Sequence, residues 1–264
     1  STSVMLRGTS TLMGSTHPLI LVDGVPGSFS TVAPEDIESI DVLKDGSATA
    51  IYGTRGTNGV IIITTKGGRR NMPTTLEYNG YVSISKQART ADFMNADDLR
   101  QRWNEGFEFS GANDQDYGHN TDWLGEVSRT GVSNVHNLTL RGGGAQSSTI
   151  ATLTYDERQG TFKKSDSRNI RGRLEYIHRM FDDRLTANVS FIANERTTGA
   201  GFNSSVYRYA TIQNPTQPIY DEQGEYVERP VYFYDNPVSI LNETEGMTRS
   251  RNLRFTGSVE FRPI

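Results

Sequence analysis

The residues best suited to chemistry in this chain are scattered, and their spacing does not assemble an active site. The four histidines, His17, His119, His136 and His178, stand far apart and share no metal-ligand spacing. There is no cysteine, which excludes a disulfide scaffold, a zinc-thiolate site and a thiol nucleophile. No Ser-His-Asp constellation is recognisable, and Asp182-Asp183 reads as a solvated turn rather than an acid/base pair. The stretch Gly53–Gly59, GTRGTNG, lacks the Gly-Lys-Ser/Thr ending of a phosphate loop and leads into a strand instead of a helix. Asn113–Gly118, NDQDYG, departs from a calcium loop because its glycine comes too early and no closing glutamate follows. The expectation is therefore no catalytic residue, no metal and no cofactor.

What remains is chemistry of contact. Arg7, Asp23, Lys44, Asp45 and Arg55 are charges set in glycine-rich turns, and charges in such places are expected to be paired. Gly8, Gly24, Gly46, Gly53, Gly56 and Gly59 let the backbone turn or approach another segment closely, with Tyr52 beside them. A second group is aromatic: Tyr207, Tyr209, Tyr232, Phe233 and Tyr234 fall in one long segment and are candidates for substrate or partner contact. Trp103 and Trp123 read as packing anchors or interface residues.

The elements that must position these residues fall into two grammars. Up to about Gly68 the chain mixes short strands with short helical turns. Pro18–Pro26 reads as a buried strand stopped by Asp-Gly, APEDIESI as a helix start with Pro34 ahead of Glu35 and Asp36, and DVLK as a strand. Val60–Thr65 is an unbroken β-branched run, the signature of a strand buried on both faces. From about Thr75 the period becomes two. Leu76–Ile84, Val135–Arg141, Thr149–Tyr155, Ile170–Arg179, Leu185–Ala193 and Leu253–Phe261 read as six strands long enough to cross a bilayer when tilted. GGGAQSS and RMFDD are short connections, while Lys86–Asn134, DERQGTFKKSDSR and Arg196–Arg251 are longer ones. Loops sorted by length onto opposite ends favour an up-and-down membrane barrel over a soluble β-sheet, which would show the same alternation.

Composition agrees with this division. The chain has 264 residues and a net charge of −4, so bulk charge gives no support for nucleic-acid binding. Only 34% of residues are hydrophobic, so many side chains must meet water or line a wet space. No apolar run is long enough for a transmembrane helix, so a membrane role must come through strands. Six strands cannot close a membrane barrel, and the chain reads as an internal piece of a longer protein.

VMLRGTSTLMGSTHPLILVDGVP and DIESIDVLKDGSATAIYGTRGTNGVIIITTKGG, with the alternating strands behind them, resemble the SusC/RagA-like TonB-dependent outer-membrane transporters. TDWLGEV, NLTLRGGG, YDERQG, NPTQPIYDEQGEY and YDNPVSILNET follow in the family's order. The resemblance implies a small α/β plug segment followed by antiparallel strands of a plugged barrel of about 22 strands. Residues 1–70 would be the carboxy-terminal part of the plug. Residues 71–264 would be the first six wall strands, with extracellular loops at about 87–133 and 197–250. It further implies energy-dependent import of a large nutrient across the bacterial outer membrane. The partners would be outer-membrane lipid, a SusD-like surface lipoprotein, and TonB acting through a segment absent from this chain. An oligosaccharide is the favoured cargo; the alternatives are a peptide importer of the same family and a soluble β-rich carbohydrate-binding module.

Overall fold

The computed structural model describes residues 17–29, 32, 34–44, 50–109, 115–199, 204–228 and 235–263. Two sheets organise them. The small sheet holds β1 (Leu19–Val22), β2 (Val25–Pro26), β3 (Ile37–Leu43) and β4 (Val60–Thr65) in the order β2-β1-β4-β3. β1 and β4 run parallel, and the other pairs are antiparallel. β4 is central, and Val60, Ile61, Ile63 and Thr65 are buried, which accounts for its β-branched run. Val22, Val32, Ile61 and Ile63 make one core on this sheet, and Leu21 and Val60 with Tyr52 and Leu43 make another.

The helix expected from APEDIESI is not formed. Pro34–Asp36 is a single 3-10 turn, and the chain then enters β3. Ile40 and Val42 pair with Ile63 and Ile61 of β4, so a ladder to an apolar strand overrides the helix-start signal of Pro34.

The large sheet is an antiparallel meander of β5 (Thr75–Ser85), β6 (Gly131–Gly143), β7 (Ser147–Gln159), β8 (Asp166–Met180), β9 (Leu185–Gly199) and β10 (Met247–Phe261), neighbours in chain order throughout. All six expected strands are present, and most are longer than their apolar pattern suggested. The connection DERQGTFKKSDSR is largely absorbed, because Asp156 to Gln159 pair with Asn169 to Asp166. These strand ends are polar, which hides them from a reading of hydrophobic period.

The unbroken register assigns each side chain to a face. One face carries Leu76, Leu140, Ala151, Leu174, Phe191 and Phe255 in a row across all six strands, and above it Tyr78, Leu138, Leu153, Gly172, Ala193 and Leu253. This apolar face is exposed: Leu253, Phe255 and Val259 keep over 70% of their surface. The step from Ile170 to Met180, at about 3.3 Å per residue and a tilt of about 40°, gives a band about 25 Å tall. The other face is polar and meets the small sheet.

The two long connections fold over one end of the large sheet. The β5–β6 connection forms α1 (Ala96–Asn104) and α2 (Trp123–Val127), and the β9–β10 connection forms α3 (Ser204–Ile212) and α4 (Pro237–Glu243). Asn95 caps α1 in a full capping box with Asp98, and Asn236 caps α4 ahead of Pro237. No helix among the described residues is long and apolar enough to cross a membrane, which says nothing about crossing by strands.

Candidate functional site

The seam between the two sheets begins at Asp23. Asp23 and Gly24 form the β1–β2 hairpin turn with φ of 50° and 79°, the two-residue turn that Asp-Gly favours. That turn aims the Asp23 carboxylate at the end of β4, where it accepts from the Thr65 amide (2.9 Å) and the Thr65 hydroxyl (2.8 Å). Arg173, on the polar face of β8, reaches the same carboxylate at 3.3 Å, donates to the Lys66 carbonyl and pairs with Glu175. Two residues along β8, Arg171 donates to the Val32 carbonyl at 2.7 Å and lies 3.4 Å from Asp156. Arg158 holds Asp156 through two further bonds. Arg254 of β10 donates to the Pro26 carbonyl at 2.6 Å. Arginines from the large sheet thus grip backbone carbonyls and one carboxylate of the small sheet, a geometry suited to the fixed donor fork of guanidinium.

Asp36 sits buried in this seam, with Thr152 and Asn137 of the large sheet beside it. Burial pushes its carboxyl above the ordinary range, opposed by those two side chains and by the Arg173 charge. The cavity at Val22, Asp36, Thr152, Arg171 and Ile192 has a volume of about 10 Å³, about the space of a single water. Where the chain leaves the small sheet, a Cβ on Gly68 would lie 2.9 Å from the Thr149 backbone, so only glycine allows this close passage along the large sheet.

The second candidate region is the junction of the long connections. Trp123, Val127, Val206, Ala210, Val238 and Leu241 make a core that draws on both. Trp123 Nε1 donates to the Asn214 carbonyl at 2.8 Å, and Asn214 Nδ2 donates to the Gln115 carbonyl at 2.9 Å. The His119 and Thr121 amides donate to the Thr216 and Pro215 carbonyls. Asn214, Thr216, Gln217 and Asn236 are fully buried, a polar core satisfied largely by backbone. A groove of about 370 Å³ opens between the connections, lined by Phe93, Met94, Asn95, Asn120, Asp122 and Gln213 among others.

The structure distributes the sequence candidates unevenly. Arg7, Gly8, Asp45, Gly46, Tyr232, Phe233 and Tyr234 lie outside the described residues. Asp23 is the hub of the seam. Gly53 and Gly59 adopt φ of 61° and 88°, Gly56 is buried, and Tyr52 packs on the Leu21–Val60 core. Lys44, just after β3, and Arg55 are exposed. Tyr207 is exposed and meets Phe162 edge to face at 5.8 Å. Tyr209, in α3, is buried and keeps 9% of its surface. Trp123 is a packing anchor, as expected. In NDQDYG the Asp116 carboxylate is held by the Arg100 guanidinium and the Gly118 amide, which lower its pKa to about 2.

Sequence reasoning missed Asp36, Arg171, Arg173 and Arg254. The available signal was that Arg171, Arg173 and Arg179 of β8 fall on the face opposite the apolar stripe.

Residues 1–60 match the family model for the TonB-dependent Receptor Plug Domain. The chain is 34% identical over 93% of its length to the TonB-dependent receptor SusC of Bacteroides thetaiotaomicron, and 34% identical over 98% to the TonB-dependent receptor P3 of Formosa agariphila. The chain belongs to the SusC/RagA-like TonB-dependent receptors. It spans 25% and 26% of the length of these two relatives. The solved RagAB peptide importer in its closed-closed state shares the fold, with a TM-score of 0.79 at 22% identity, covering 99% of this chain and 34% of that one. Its open-open state matches equally well, at 23% identity. In the terms of this family, the small sheet is plug and the large sheet is an unclosed part of a barrel wall.

Proposed function

We propose that this chain is the plug end and first six wall strands of an outer-membrane importer that takes up a large nutrient, most favourably an oligosaccharide, in a TonB-dependent cycle. The observation that carries this reading is the division of the large sheet: one face is a continuous apolar band, and the other grips the plug through Arg171, Arg173 and Arg254. A sheet built to sit between lipid and a plugged lumen needs both. The domain division falls at about residue 70, just beyond the close passage of Gly68.

In this reading Asp23, Gly24, Lys44, Tyr52, Gly53, Arg55, Gly56 and Gly59 shape and hold the plug, and the Arg173–Asp23 contact is broken when TonB draws on it. Polar contacts to backbone carbonyls suit such a joint, because water replaces them as the seam opens. Substrate meets the long connections, where Tyr207, Tyr232, Phe233 and Tyr234 supply aromatic faces for sugar rings and the groove at Asn95, Asn120 and Asp122 supplies acceptors for hydroxyls. A SusD-like lipoprotein covers this end. The chemistry is non-covalent, and no residue is given a catalytic role.

The test is uptake. Cells lacking the full-length gene are given fluorescently labelled oligosaccharides and, in parallel, labelled peptides. Loss of oligosaccharide uptake, restored by the gene but not by one with its TonB-contacting segment removed, supports the proposal. Loss of peptide uptake alone would replace the cargo.

A further inference from the structure

The outer face of the wall changes character sharply near the end that carries the long connections. Between Ile170 and Tyr176 on β8, Leu185 and Ala193 on β9, and Leu253 and Phe261 on β10, every side chain on this face is apolar, aromatic or glycine. Immediately above come Arg168, Arg249 and Arg251, all exposed and all on the same face by register. Arg168 and Arg249 both stand opposite Thr197, one from each neighbouring strand, and Thr197 is buried beneath them. Arg251 stands opposite Glu195 and bonds it at 2.6 Å, and Arg249 lies 3.6 Å from the same carboxylate. Glu157 faces Arg168 from β7. Arg249 and Arg251 therefore share the Glu195 carboxylate, with Arg168 on the neighbouring strand, at the rim of an uncharged band.

The level of this cluster is fixed by its neighbours. Tyr78, His136 and Tyr155 cross the adjacent strands as a ring-on-ring row, with the Tyr78 hydroxyl 2.7 Å from His136 Nδ1. Amphipathic rings mark the membrane interface in strand-built walls. An arginine deep in the band would be costly, but at the interface its planar fork meets phosphate.

We propose that Arg168, Arg249 and Arg251 bind the phosphate head group of an anionic lipid in the leaflet at the long-connection end, with its acyl chains lying on Phe191, Leu253 and Phe255. The occupant is a lipid and not free phosphate because the donors sit directly on the apolar wall that acyl chains would cover. This rests on the membrane reading above.

The test uses the full-length transporter, stripped of lipid in detergent and titrated with lipid A under native mass spectrometry. Each Arg→Gln change is expected to weaken retention about fivefold, and R168Q/R249Q/R251Q together on the order of a hundredfold. Arg196→Gln, at the same height but on the lumen face, is expected to leave retention unchanged. Equal retention by the triple variant, or of lipid A lacking its phosphates, overturns the proposal. So does displacement of lipid A by millimolar inorganic phosphate, which would make the patch a site for the ion alone. If the wild-type protein is absent from the membrane fraction and shows no heat-dependent gel shift, the membrane reading itself fails. A normal shift with unaltered lipid retention in the triple variant sinks only the lipid site.

Discussion

Asp23 shows how one side chain can join two levels of structure. Its backbone makes the turn, its carboxylate closes the end of β4, and its remaining reach meets the wall through Arg173. Asp23→Ala is expected to cost about 2 kcal/mol from the lost charged hydrogen bonds, the partly exposed ion pair adding little. Accelerated hydrogen exchange at the Thr65 amide, with the wall amides unchanged, checks this. Asp36 acts in the opposite sense. Its carboxyl is raised in the folded seam, so its contribution is fully present below the ordinary value of 3.8 and fades as pH rises through the raised one. Asp36→Asn is expected to flatten the pH dependence of plug unfolding from pH 4 upward. Urea titrations of both proteins at several pH values would reveal whether the slope disappears.

At the level of elements, the helices of the long connections are stable because they dock, not because they are long. α2 has five residues and α4 has seven, too few to persist alone. Trp123 joins the two connections through its ring and through Nε1. Trp123→Ala is expected to cost about 3–5 kcal/mol locally. Limited proteolysis should then cut the connections while the strands stay protected. The strands carry a different test, because register assigns neighbouring residues to lipid or lumen. Phe255→Arg, in the row of Leu174 midway along the band, is expected to destabilise the wall by about 2–4 kcal/mol, and Ser258→Arg on the other face by far less. Heat-dependent gel mobility of the two full-length variants compares them directly. Similar behaviour would mean that the faces are misassigned.

For the molecule as a whole, the two sheets depend on each other. The plug sheet has four short strands, and its polar seam is completed by wall residues, chiefly arginines. The exposed apolar band likewise needs a cover, which on the proposed reading is lipid. The full-length protein is therefore expected to migrate faster in unheated than in heated denaturing gels. It is also expected to bring a surface lipoprotein with it when purified from native outer membranes. Migration at one position under both conditions would argue against a closed, plugged wall.

The sequence alone determined what depends on local period and turn chemistry. The unbroken Val60–Thr65 run required a central strand, Asp-Gly required the hairpin, and the alternation from Leu76 to Phe261 required a two-faced sheet. The motif resemblance supplied the family. Only the tertiary structure decided which polar residues meet. A carboxylate in a turn and an arginine 150 positions later carry no mutual signal until the plug is laid against the wall. The same holds for Tyr209, where the sequence offers an aromatic ring and packing of α3 turns it inward. It holds also for Ile37 to Ile40, where pairing with β4 outweighed a helix-start signal. Period and turns are written in neighbouring residues, whereas pairing across sheets depends on distances that only the folded chain brings within reach.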